Sequence, residues 1–188
     1  MVSILSLWAP ILLAAVLVFV VSSIIHMFLT YHNSDNSEVG DEDGVMDALR
    51  GFNIPPGDYV LPYAEGMEGL KSDAFREKVN KGPVAFFTVL PPGAMFNMGK
   101  SLTQWFLYSI LVGVIAAYLG GRMLDPGEDY LSVFRVTGTV AFCCYALAHP
   151  QRSIWFHQKW STSLKSMFDG LVYAAVTAGA FGWLWPAA

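Results

Sequence analysis

Residues 4–30 read ILSLWAPILLAAVLVFVVSSIIHMFLT, a stretch with no Asp, Glu, Lys or Arg. About 20 consecutive apolar residues match the hydrocarbon thickness of a bilayer. The stretch is longer than a secretory h-region, no basic n-region precedes it, and no small-residue cleavage site closes it. It therefore reads as an uncleaved first transmembrane helix, with Trp8 at the interface and Pro10 near its start. Outward from it, the remaining apolar blocks are 101–123, 130–149 and 166–185, each of spanning length. The expected fold is an all-α membrane protein with four transmembrane helices and a small α+β insert between the first two.

Composition agrees. Of 188 residues, 54% are hydrophobic and 14% charged, against about a quarter charged in ordinary soluble domains. The net charge of −4 argues against a nucleic-acid partner, because phosphate binding needs a basic face. Cys143 and Cys144 are adjacent within an apolar run, where helical neighbours point about 100° apart. They read as buried small hydrophobes, with no disulfide framework and no zinc-ligand spacing.

Residues 31–100 differ in kind, with eleven Asp and Glu against six Lys and Arg. Asn33–Gly44 is an acidic, turn-rich connector. Glu42–Arg50 suits a short helix ended by Gly51. Asp58–Pro62 and Pro83–Leu90 suit strands, bounded by Pro-Pro-Gly at 55–57 and 91–93. Ser72 is the N-cap expected for a helix through Asn80, closed by Lys81-Gly82. Such a module is too small to be stable by itself, so it is expected to rest on the helices or on a partner.

Residues 150–165 carry Arg152, Lys159 and Lys165 beside Trp155 and Trp160, the mixture of an interfacial loop. The first and third loops hold six and three basic residues, and the second holds one. The positive-inside rule puts the insert in the cytoplasm and both termini outside.

Two ridges of small residues stand out: Ser109, Gly113, Ala117 and Gly121 in the second span, and Gly170, Ala174, Ala178 and Gly182 in the fourth. Small side chains let helix backbones approach within lipid. The ridges are expected to pack with each other or with a neighbouring subunit. A looser likeness, Ser101-Leu102…Phe106 against Ser163-Leu164…Phe168, is explained by shared helix composition and marks no inverted repeat.

Ionisable groups inside a membrane default to functional candidates. They are His26, Arg135 and Asp169. His26 suits an interfacial histidine bonded to a neighbouring helix, with a metal or haem ligand or a proton relay as the sharper alternative. His32 lies six residues on, which turns a continuing helix by about 240°, so the two are not expected to converge. Arg135 suits snorkelling to the outer headgroups, or an anionic lipid or partner carboxylate. Asp169 is expected to meet Lys165 one turn away. His149 and His157 suit headgroup-level positions lacking a third metal ligand.

No phosphate loop, dinucleotide fingerprint, HExxH, haem-attachment or nucleophile-elbow motif is present, and Asp41-Glu42-Asp43 lacks calcium-loop spacing. No catalytic set and no metal-ligand set emerges from the spacing, and the spacing leaves the cofactor open. The expected function is an accessory or structural subunit of a larger membrane complex, multi-pass in a bacterial inner membrane, in contact with lipids and other membrane subunits. The alternatives are a small transporter or channel formed by oligomerisation, in which His26, Arg135 and Asp169 share a cavity, and a histidine-based redox or metal-handling protein using His26, His32, His149 or His157.

Overall fold

The computed structural model describes residues 1–188. The chain divides into two units: Met1–Ser37 with Gly99–Ala188, and Glu38–Met98.

The first unit is a helix bundle. Its long elements are α1 (Trp8–Phe28), α5 (Met98–Met123), α6 (Tyr130–Ala146) and α8 (Trp160–Trp183), with a short α7 (His149–Phe156) before α8. On α1, Ile11, Ala14, Ala15, Val18, Ser22 and Ile25 are buried, the i, i+3, i+4, i+7 spacing of one helix face. Its other face exposes Leu12, Val16, Val20 and Ile24. A helix apolar all round, with one whole apolar face exposed, is solvated by lipid and not by water. Three helical stretches are long and apolar enough to cross a membrane: Ile4–Phe28, Met98–Met123 and Tyr130–Phe156.

The fourth expected span, α8, is long enough but falls outside that group. What sets it apart is its polar content, Ser161, Thr162, Ser163, Lys165, Ser166, Asp169 and Thr177, which lowers its hydropathy. Asp169, Thr162, Ser163 and Thr177 are all buried on it, and it packs against α1, α6 and α7. A helix walled by protein tolerates polar side chains that a lipid-facing helix does not.

The ends of the bundle are tied. The Val2 amide donates to the Gly121 carbonyl at 2.8 Å, and Gly127 donates to Pro186 at 2.8 Å. The indole of Trp185 donates to the Asp125 carbonyl at 3.0 Å. Both termini and the α5–α6 link therefore lie at one end. The exit of α1, together with α7 and the start of α8, lies at the other.

The ridges meet different neighbours. A β-carbon added at Gly113 on α5 would sit 3.2 Å from Ile11 Cγ2 of α1. On α8, a β-carbon at Gly170 would sit 2.9 Å from Ala146 Cβ, and Gly182 lies against the Tyr130 ring. The α5 ridge thus seats α1, and the α8 ridge seats α6. Instead of facing each other or a second subunit, both ridges are taken up by packing within the chain.

Residues 150–165, expected as a loop, are mostly helical. α6 stops at Ala146, and α7 starts at His149 with Pro150 in its first turn. A proline there lacks the N–H for Ala146 and its ring crowds that carbonyl, so the helix breaks. His157, at φ 54°, closes α7, leaving only the few residues before Trp160 as connection.

The second unit holds α2 (Glu42–Gly51), β1 (Gly57–Leu61), α3 (Gly66–Lys71), α4 (Asp73–Lys81) and β2 (Ala85–Val89). The strands pair antiparallel, with Tyr59 opposite Phe87 and their rings stacked at 5.5 Å. Ser72 caps α4 by accepting from the Phe75 amide at 3.2 Å, and Asp41 caps α2 through Gly44 at 3.0 Å. The additional helix, α3, lacks a side-chain cap, which is why the sequence does not announce it. No residue of this unit is buried.

Candidate functional site

The polar residues of the bundle converge where α1 ends. α1 stops at Phe28, Leu29 is extended (φ −91°, ψ 131°), and Tyr31–Ser34 forms a single 3-10 turn. The Asn33 amide donates to Thr30 at 3.0 Å and the Asp35 amide to His32 at 2.9 Å, closing the turn. Because the chain folds back, the helical angle between His26 and His32 no longer applies. Their ring centroids lie 4.8 Å apart, so the expected divergence is corrected.

Opposite this turn, α8 presents Thr162, Lys165, Asp169 and Tyr173, spaced to share one face. Asp169 is only 3% exposed. The Tyr31 hydroxyl donates to its Oδ1, and His32 Nε2 lies 2.8 Å from its Oδ2. His32 Nδ1 in turn lies 2.6 Å from Asp35 Oδ2. The expected Lys165–Asp169 pairing gives way to a longer-range one. Lys165 Nζ donates to Asp35 Oδ1 at 2.8 Å, to the Tyr31 carbonyl at 2.5 Å and to Ser34 Oγ at 2.7 Å. Thr162 Oγ1 also donates to Asp35 Oδ1 at 3.3 Å.

Electrostatics follow from this packing. Burial alone would raise the Asp35 carboxyl, but hydrogen bonds from Lys165 and His32 outweigh it and hold it below the usual carboxylate range. Burial, and then the bond to Asp169, pushes the Tyr31 phenol well up, so it stays protonated as a donor.

Beneath the cluster lies an aromatic floor. Tyr173 meets Tyr145 at 5.6 Å and Trp105 at 5.7 Å between centroids, both edge to face. Trp105 Nε1 donates to Ser22 Oγ at 2.8 Å. His26 is exposed, and its Nε2 stands 3.5 Å from the Tyr173 hydroxyl. One ligand atom each from His26, His32 and Asp169 lies within 4.8 Å of the others.

Of the intramembrane candidates, His26 and Asp169 come together, and Arg135 does not join them. Arg135 is exposed on the first turns of α6, at the end where Tyr130 meets Gly182. A cavity within one chain shared by all three is therefore not formed. Trp155, Trp160, Arg152 and Lys159 are exposed around α7 and the start of α8, and Lys159 Nζ donates to Ser37 Oγ at 2.9 Å. His149 and His157 flank α7, away from any third ligand. Sequence spacing missed Tyr31, Asp35 and Tyr173. The available signal was the Thr162/Lys165/Asp169/Tyr173 stripe, a polar line on a helix otherwise of membrane character.

Fold and site together define a helical membrane protein with a partly buried histidine–carboxylate cluster at one end of its bundle. Comparison with family models, curated proteins and solved structures finds no match.

Proposed function

We propose that this chain is an accessory subunit of a larger membrane complex, with the bundle as its anchor and Glu38–Met98 as its docking unit. The observation that carries the reading is that no side chain of that unit is buried, although it bears Phe52, Tyr63, Met95 and Phe96, the last 94% exposed. A two-stranded sheet with short helices and no core lacks the buried apolar area to hold itself together. Exposed aromatics and methionines are the side chains enriched at protein interfaces. The small-residue ridges support the same division of labour, since intrachain packing already uses them and leaves partner contact to the insert.

α8 is the fourth span in this reading. Its 24 residues reach about 36 Å at 1.5 Å per residue, enough to cross the hydrocarbon core. The insert then lies on the cytoplasmic side of a bacterial inner membrane.

Extraction from native membranes in mild detergent tests the proposal, followed by mass measurement and hydrogen exchange. The expected result is a stoichiometric heteromeric complex in which amides of Tyr59–Leu61 and Ala85–Val89 exchange more slowly than in the isolated chain. A monodisperse, partner-free species with those amides already protected would refute it.

A further inference from the structure

We propose that His26, His32 and Asp169 form a binding site for a divalent transition-metal ion of the zinc class. Three independent features of the cluster point to it. The first is His32, whose two ring nitrogens both face carboxylates, Asp35 at 2.6 Å and Asp169 at 2.8 Å. A neutral imidazole has one N–H. If Nδ1–H serves Asp35, the Nε2 lone pair faces a carboxylate oxygen, an arrangement that calls for a proton or a cation between them.

The second is the charge balance. Asp35 and Asp169 bring two carboxylates, and Lys165 supplies one ammonium. The cluster thus carries one net negative charge, which favours a cation; a divalent ion offsets it, leaves one positive charge for an anionic fourth ligand such as hydroxide, and uses both imidazoles.

The third is the supporting shell. Metal-ligating histidines characteristically give their other ring N–H to a carboxylate, which fixes the tautomer and aims the ligating nitrogen. Asp35 stands in that position and is itself fixed by Lys165 and Thr162. Two imidazoles and one carboxylate form the donor set of open, three-ligand zinc sites and of related first-row metals. Tetrahedral ligand bonds of about 2.1 Å place donor atoms about 3.4 Å apart, so His32 and Asp169 must open by about 0.6 Å from 2.8 Å and His26 must swing inward. His26, exposed and loosely bonded at 3.5 Å, is free to complete the set. Asp35 is a positioning residue and touches no metal.

The test uses the full chain in detergent, without an affinity tag, stripped by chelator and titrated with Zn²⁺, then with Co²⁺ as a spectroscopic probe. One saturable equivalent is expected, with visible ligand-field absorption for Co²⁺. His26→Ala and His32→Ala should each weaken binding by more than about tenfold, and Asp35→Asn by about 10–100-fold while the Co²⁺ spectrum persists. His157→Ala serves as the control and should bind as the parent does. Because His26 is exposed, its replacement leaves the fold intact and keeps the test decisive if Asp169 variants misfold. Absence of saturable uptake, or affinity unchanged in both His26→Ala and His32→Ala, would overturn the proposal.

Discussion

Replacing Lys165 by Met should cost the bundle about 3 kcal/mol, the low end for breaking a buried ion pair from one side. The ammonium uses all three of its protons, on Asp35, on the Tyr31 carbonyl and on Ser34. Summing three charge-assisted bonds at about 1.5–3 kcal/mol each would overshoot, because water reoccupies part of the space. The side chains of Lys165 and Asp35 are 22% and 15% exposed, so re-solvation is partial and Asp35 stays largely without a counter-charge. For a chain of this size, about 3 kcal/mol corresponds to about 6–12 °C in Tm. Thermal unfolding in one detergent, followed by intrinsic fluorescence of Trp105 and its neighbours, measures it. Lys159→Met is the matched control, since Lys159 is exposed and bonds only Ser37 Oγ; its effect should stay within about 0.5 kcal/mol. If Lys165→Met melted within a degree or two of the parent, the cluster would not be holding the α1 exit to α8, and the reasoning would be refuted.

Gly170→Ala should destabilise by about 1–3 kcal/mol, because the new β-carbon meets Ala146 Cβ at 2.9 Å and the Tyr145 backbone at 3.1 Å; Gly40→Ala, which meets nothing within 4 Å, should be silent in the same melt. Asp129 caps α6, and its carboxyl is held below the usual range, first by the Ser132 hydroxyl and then by the Ser132 amide. Its contribution should be present above about pH 4, the unfolded carboxylate value, and fade as pH falls through the lower folded value. A melting profile from pH 7 downward should therefore show Asp129→Ala approaching the parent at the acid end. In a Cys143→Ala, Cys144→Ala background, cysteines placed at Asn53 and Glu128 should react with an impermeant maleimide from opposite sides of the membrane. Labelling of both from one side would refute the crossing of the membrane by α5, and labelling of Asn53→Cys only from outside would invert the assigned orientation.

What the sequence reveals here follows from what decides each feature. Membrane character is a property of long averages, so residues 4–30 declare it without any tertiary information. Caps are local, and Ser72 is legible because its hydroxyl needs only the amide three residues on. The ridges are legible as ridges, but their partners are not. A Gly or Ala every fourth residue says that something approaches closely, and whether it is α1, α6 or another chain depends on the handedness of the whole bundle.

The cluster depends on a single backbone event. His26 and His32 diverge on any helix that continues and meet only because Leu29 turns extended before the 3-10 turn. Apolarity cannot fix that residue, since Leu29 is as hydrophobic as the positions before it. What selects it is the other side of the contact: Lys165 on α8 donates all three of its protons to the Tyr31 carbonyl, Ser34 and Asp35 of the turn. The stop of α1 is thus specified by α8, across more than a hundred residues of chain. That coupling gives Lys165→Met its discriminating force, because a helix end fixed by local signals would survive the loss of the ammonium, whereas one fixed by α8 will fray and carry His32 away from Asp169.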